Sequence, residues 1–207
     1  ASRQTGRKLS IQLSTLFSKD TKVARHLIQA GKLGKIYHAR STGYRRRGRA
    51  YVDGYGTPTF VQKHISAGGA VYDMGVYHIA EVMFLLGCPQ VLRISGKTYQ
   101  ETGMYPQRRQ ESGYNVEELG LGLVRLADNV TLDIIEAWAV HSNPFEASSI
   151  FGSEGGLRLH PLTLHTTIAD VEMDCTALVT EVDTRWHRCD PNLTAYDSSQ
   201  QHWVAAL

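Results

Sequence analysis

In the run Gly68-Gly69-Ala70-Val71-Tyr72-Asp73-Met74-Gly75-Val76-Tyr77-His78, which continues to Gly87, three polar residues share one stripe of an otherwise apolar helical pattern. At about 100° per residue, Asp73, Tyr77 and Glu81 fall within roughly 80° of one another, while Val71, Met74, Ile79, Val82, Leu85 and their apolar neighbours cover roughly 200° of the remainder. The pattern predicts a buried helix. A carboxylate and a phenol inside it need partners or a polar cavity, because an unsatisfied buried polar group costs several kcal/mol. A substrate pocket would satisfy them. So would a plainer arrangement, in which Asp73 caps the helix start, Tyr77 bonds to backbone from the core and Glu81 reaches solvent.

The chain has 207 residues, 42% hydrophobic and 20% charged, enough to bury a substantial core in one domain, or in one domain plus a fragment. No apolar run approaches the ~20 residues that cross a bilayer, and the polar, basic start at residues 1–8 lacks the apolar segment of a signal peptide. A cytoplasmic protein without a membrane partner is therefore expected. Cys88, Cys175 and Cys189 are widely spaced with no Cys-x-x-Cys pair, so they read as reduced thiols with no metal role. Asn129-Val-Thr131 and Asn192-Leu-Thr194 fit the glycosylation pattern, which matters only in a secreted chain. A net charge of +2 is too mild to indicate a nucleic-acid binder from the global balance, and no nucleic-acid partner is expected. Arg45-Arg46-Arg47-Gly48-Arg49 is the local exception, and no stacking aromatics are interleaved with it. It reads as a solvated loop, or as a contact for an anionic group on a substrate, cofactor or partner subunit.

Along the chain, residues 9–17 alternate like a strand, Ser18-Lys19-Asp20 caps an amphipathic helix over residues 21–30, and Gly31 ends it. Residues 36–42 read as a second strand. Residues 43–57, rich in Arg, Gly and Tyr, form a candidate lid, followed by a short helix at residues 59–65 and the long helix from Gly69 to Gly87. Beyond Pro89 the pattern turns to antiparallel strands at residues 91–99, 116–126, 130–140 and 148–151, with a hairpin turn at Asp128-Asn129. A second turn at residues 152–156 uses its glycines for positive φ or close backbone approach. Further strands fall at residues 157–159, 162–166 and 177–181, and residues 183–207 carry no clear assignment. Glu117 and Glu118, with Trp138 and His141, fit a solvated sheet face or a subunit interface as well as they fit chemistry. The sequence contains no internal repeat, Gly-x-Gly-x-x-Gly loop, phosphate-binding Gly-Lys-Ser/Thr loop or Gly-x-Ser-x-Gly elbow.

Three segments taken in order, Leu33-Gly34-Lys35-Ile36, Ala67-Gly68-Gly69-Ala70 with Asp73-Met74-Gly75-Val76-Tyr77, and Ile150-Phe-Gly-Ser-Glu-Gly-Gly-Leu157, resemble the C-terminal domain of the Gfo/Idh/MocA oxidoreductases. These are the relatives of glucose-fructose oxidoreductase and inositol dehydrogenase. The resemblance implies an α+β fold: a large, mostly antiparallel open sheet with helices packed on one face. Residues 1–18 would be the last-strand remnant of a Rossmann domain whose bulk is absent, and residues 19–207 a substrate-binding and oligomerisation domain truncated at its C-terminus. It further implies NAD or NADP as cofactor of the intact parent, a sugar, polyol or related hydroxy compound as substrate, and a homo-oligomer formed through the sheet.

In the family the acid/base residue stands four positions after the motif aspartate, as histidine or, in some branches, tyrosine. Here that place is Tyr77, with Asp73 orienting the substrate or the phenol. His78 falls about 100° from Tyr77 on a regular helix and is kept as a substrate contact, with Lys63, Arg46 and Tyr44 from the flanking segments. The glycine-rich loop and the Glu-Lys-Pro lysine of the family have no counterpart here, so this chain alone is expected to be inactive. The alternatives are an NAD-assisted glycosidase of the same superfamily, and a non-enzymatic oligomerisation or binding module.

Overall fold

Helix α2 (Lys19–Gln29) starts where the sequence places it, with the Ser18 hydroxyl accepting the Thr21 amide at 3.1 Å, and it ends before Gly31, which takes φ +72°. In the computed structural model, residues 2–179 and 194–205 are described. Ahead of α2 lie a short turn of helix, α1 (Ser2–Thr5), an irregular segment and a 3-10 turn at Ser14–Phe17. The strand expected at residues 9–17 therefore does not form. A strand needs a neighbour for its N–H and C=O groups, and none is adjacent here: Leu9 is 82% and Ile11 75% exposed.

Among the described residues, eight strands make one sheet: β1 (Ile36–Tyr44), β2 (Val91–Tyr99), β3 (Leu119–Leu126), β4 (Thr131–Ala137), β5 (Ser149–Gly152), β6 (Gly155–Arg158), β7 (Thr163–Ile168) and β8 (Val171–Thr176). Their order is β2-β3-β4-β1-β5-β6-β7-β8. Only the central β1–β4 pair is parallel. This is the mostly antiparallel open sheet expected. The β3–β4 hairpin turns at Asp128 and Asn129, both in the left-handed region. In the β5–β6 hairpin the glycines serve close approach rather than positive φ, since a Cβ on Gly152 would stand 2.1 Å from the Leu33 carbonyl oxygen.

Helices cover one face. Val23 and Ala24 of α2 and Val82 and Leu85 of α5 (Gly75–Leu85) close over Ala39, Val124, Leu132, Ile150 and Leu157 of the sheet. The opposite face carries Arg40, Asp133, Leu121 and Leu123, and among the described residues no helix lies upon it. A second apolar cluster joins Ala50, Val61, Ala70, Met74, Tyr114 and the fully buried Trp138 at one end of the sheet.

The long helix is broken. α4 (Ala70–Asp73) and α5 are separated at Met74, and the Tyr77 amide reaches back only three residues, to Met74 O at 3.2 Å. The short helix expected at residues 59–65 is a 3-10 turn at Pro58–Val61 followed by α3 (Lys63–Ser66). Helix α6 (Pro106–Ser112), strand β8 and the helix Ala195–Ala205, α7, are additions to the sequence reading. The strand expected at residues 177–181 is not formed at residues 177–179, and its remainder lies outside the described residues, as do Cys189 and Asn192. Among the described residues no helix is long and apolar enough to cross a membrane.

Candidate active site

Because β1 and β4 run parallel, the residues that follow each strand, Arg45 and Trp138, emerge at the same end of the sheet. The Arg45 amide donates to Ala137 O at 2.7 Å, and the Gly48 amide to Trp138 O at 2.8 Å. The start of α4 docks beside them. Glu117, ahead of β3, accepts the Gly69 and Val71 amides on Oε1 at 2.8 and 3.2 Å, while its carbonyl takes the Ala70 amide at 3.1 Å. A Cβ on Gly69 would lie 2.0 Å from that carbonyl oxygen, which is why the motif needs glycine there. Glu117 is thus a helix cap and not part of a solvated face.

Asp73 sits at the break between α4 and α5. The Trp138 indole donates to its Oδ2 at 3.1 Å, and Arg45 Nη1 stands 3.9 Å from the same oxygen. Arg45 in turn donates to the Tyr55 hydroxyl at 2.6 Å and lies over that ring, and Tyr55 donates to Gly48 O at 2.8 Å. Burial, with smaller contributions from Asp73 and Asp53 against the opposing Arg45, raises the Tyr55 pKa. The Asp73 side chain is 31% exposed and Tyr77 40% exposed, so neither is sealed in hydrocarbon.

His78 lies one residue on, with Nδ1 3.0 Å from Oε2 of Glu136 on β4. The structure therefore brings Asp73, Tyr77 and His78 to one end of the sheet. It does not bring the other three candidates to them. Tyr44 alternates onto the open face, where its hydroxyl donates to Ser142 O at 2.6 Å and its ring meets Phe145 edge-on. The Arg46 side chain is exposed, and its carbonyl takes the Val140 amide. Lys63 is exposed on α3, its amide donating to Asn115 Oδ1 at 2.7 Å.

Glu81 also leaves the expected stripe. It is 1% exposed and points to α2, accepting from Thr21 Oγ1 and meeting His160 Nε2 at 2.8 Å, so neither the pocket nor solvent receives it. Counting 100° per residue from Asp73 fails because the helix resets at Met74.

The arginine-rich segment is an anchored wall rather than a lid. Arg49, 0% exposed, donates to Asp53 Oδ2 and to Glu118 Oε2, each at 2.8 Å, and to the carbonyls of Thr102 and Gly103. Burial alone would push Asp53 up; the hydrogen bonds and charge of Arg49, with Arg47, carry it below the usual carboxylate range. Burial likewise acts to lower Arg49, and Asp53 with Glu118 more than reverses that. Glu118 is thus an interior ion-pair partner and not a surface residue. Burial also raises the Tyr114 phenol, helped by the nearby Glu118 charge and opposed by Arg49.

None of this builds a dinucleotide cradle. Arg49 is committed internally, and the Gly152–Gly156 turn is packed against Leu33 and Lys32. Among the described residues no group of His, Cys, Asp and Glu is placed to hold a metal ion.

Comparison with known proteins places the chain in a family. The model of the GFO/IDH/MocA C-terminal domain matches residues 21–158. D-glucoside 3-dehydrogenase of Escherichia coli (strain K12) is 26% identical over 171 residues, covering 79% of this chain and 47% of that protein. A putative UDP-kanosamine synthase oxidoreductase subunit of Amycolatopsis mediterranei (strain S699) is 26% identical, covering 68% of this chain and 40% of that protein. The chain thus spans about half the length of these relatives or somewhat less. An NAD binding oxidoreductase from Klebsiella pneumoniae shares the fold with a TM-score of 0.71 at 15% identity, over 97% of this chain and 57% of that one. Levoglucosan dehydrogenase in complex with NADH does so with a TM-score of 0.64 at 18% identity, over 80% and 45%. With its glycine-docked α4, its Asp73 and its eight-stranded sheet, the chain belongs to the GFO/IDH/MocA family and carries that family's C-terminal domain.

Proposed function

We propose that this chain is the substrate-binding, catalytic half of an NAD- or NADP-dependent oxidoreductase that acts on a carbinol of a sugar, polyol or related hydroxy compound. The observation that carries the reading is Asp73 at the α4–α5 break, part-exposed and held by a buried indole at 3.1 Å, with the part-exposed phenol of Tyr77 four residues on. When bound, a nicotinamide supplies the hydride chemistry. The groups of this chain do the rest. Asp73, an acceptor when ionised, takes a hydrogen bond from a substrate hydroxyl, and Trp138 keeps its carboxylate from turning away. Tyr77 meets the reacting hydroxyl and handles its proton. A phenol moves a proton most readily with a cation or a second acceptor beside it. The family lysine, on the nucleotide-binding half, is one such group.

Three further observations support this reading. The relatives at 26% identity include a D-glucoside 3-dehydrogenase, and levoglucosan dehydrogenase, with the same fold, was solved with NADH. These proteins are about twice as long as the matched region, which leaves room for a nucleotide-binding half. The alternating segment at residues 9–17 has no strand neighbour among the described residues, and we read it as an edge that such a half could pair with. The chain alone is then expected to be inactive.

Assaying the whole polypeptide that carries this chain, with NAD and NADP against a panel of sugars and polyols, tests the proposal. Tyr77→Phe should lower kcat by about a hundred-fold or more while cofactor fluorescence titrations stay unchanged. An unaltered kcat would overturn the assignment. Release of a sugar leaving group without net cofactor reduction would instead identify an NAD-assisted glycosidase.

A further inference from the structure

Arg45 stands beside Asp73 and is held there through one nitrogen. Its Nη1 donates to the Tyr55 hydroxyl at 2.6 Å and to Gly48 O at 3.4 Å, and the guanidinium lies over the Tyr55 ring, 5.4 Å from its centroid. A Cβ on Gly48 would stand 2.7 Å from Arg45 Cδ, so glycine at that position makes room for the arginine stem. Tyr55 is itself tied back to the loop, by its hydroxyl on Gly48 O at 2.8 Å and by a backbone bridge to Ala50. The arginine is therefore set in place before any ligand binds.

Its hydrogen-bonding capacity is only partly used. Among the described residues, Nε and Nη2 of Arg45 have no acceptor, and Oδ1 of Asp73 has no donor. The two side chains are 41% and 31% exposed, and the 3.9 Å from Nη1 to Asp73 Oδ2 is too long for a hydrogen bond between them. An arginine and a carboxylate that could have closed on each other as a fork instead stand side by side with open edges. Arg47 and Arg49 offer no such edge toward Asp73, because they are turned to Asp53 and Glu118.

Charge decides what fits there. Asp73 already balances Arg45, so an anionic group brought to the guanidinium would meet the carboxylate as well, and like charges that close repel. An uncharged oxygen meets no such cost. Adjacent hydroxyls offer what the pair lacks: one donates its proton to Asp73, and the oxygen of its neighbour accepts from Arg45.

We propose that Arg45 is a specificity-determining substrate contact and that the site takes an uncharged vicinal diol, with one hydroxyl on Asp73 Oδ1 and the next on the free edge of Arg45. The inference rests on the oxidoreductase reading above and narrows it. Hydroxy acids and sugar phosphates, which an arginine-rich loop would otherwise suggest, are refused.

Steady-state kinetics of the whole polypeptide test it. The neutral probes are methyl β-D-glucopyranoside, methyl β-D-galactopyranoside and myo-inositol; the charged ones are D-glucuronate and D-glucose 6-phosphate; the monodeoxy analogues of the best neutral probe complete the set. Wild type should prefer that neutral probe to both charged ones by about ten-fold or more in kcat/KM. Arg45→Met should raise its KM about ten- to a hundred-fold with kcat little changed. On the monodeoxy analogue that lacks the hydroxyl read by Arg45, wild type and Arg45→Met should be alike, since the contact is missing from both. An Arg45→Met penalty of equal size on every analogue marks a structural role and overturns the proposal, as does an unchanged KM or a wild type that prefers a charged probe. Should Arg45→Met not fold, Tyr55→Phe, which removes the oxygen holding Nη1, should raise the same KM a few-fold with the same pattern across the analogues; an unchanged KM there also overturns it. A wild type that oxidises no neutral or charged probe removes the oxidoreductase reading itself, an outcome seen before any variants are compared.

Discussion

A carboxylate buried to the extent of Glu81 must find donors, and it finds them on two other elements: the Thr21 hydroxyl of α2 and the His160 ring between β6 and β7. The hydrogen bond to Glu81 raises the His160 pKa; burial opposes the rise, and the charges of Glu81 and Asp20 add to it. A raised folded-state pKa means that protonation favours the fold. The contact contributes fully below the unfolded value of about 6.5 and is lost as pH climbs through the higher folded value. Between about pH 6 and pH 9, the wild type should therefore lose more Tm than His160→Gln does. Parallel melting curves for the two would show that the pair does not couple protonation to folding. Asp73 has the opposite design, with a single buried indole on one oxygen and an opening beside it. Two carboxylates of one motif thus part company, one sealed in the structure and one left part-exposed.

At the scale of elements, the motif glycines are explained by what they touch. Gly69 lets α4 seat on the Glu117 carbonyl, and that neighbour is backbone with little freedom to yield. Gly69→Ala should cost about 1–3 kcal/mol from overpacking, read as a lower urea midpoint; an unchanged midpoint would mean that the seat is looser than its geometry. Much of this level was legible in the sequence. The strand at Val91–Tyr99, the Ser18 cap and the turn at Asp128 and Asn129 follow from alternation and turn chemistry alone. Strand β8 was legible too, since Val171, Met173 and Cys175 alternate with Glu172, Asp174 and Thr176. Helix α6 was not: Pro106–Ser112 has no apolar stripe and is held by single contacts, such as Gln62 Nε2 to Ser112 O at 2.9 Å. The site divides the same way. Asp73, Tyr77 and His78 were readable from one motif, whereas Trp138, Glu136 and Arg45 reach it only through the parallel pairing of β1 with β4, which no local pattern announces.

At the scale of the whole molecule, the described residues cover one face of the sheet with helices and leave the other without one. Leu121 and Leu123 are 38% and 45% exposed on the bare side, flanked by the Arg40–Asp133 ion pair at 2.9 Å. An apolar centre with a charged rim is the composition of a subunit contact, and we propose that copies of the chain pair there. Leu121→Arg with Leu123→Arg should shift sedimentation from dimer toward monomer while leaving the circular dichroism spectrum unchanged; an unaltered distribution would move the contact elsewhere. The loop fastened by Arg49, Asp53 and Glu118 has the further consequence that this end of the sheet already holds its shape before any ligand arrives. A ligand bound against it would lose no affinity to ordering this loop.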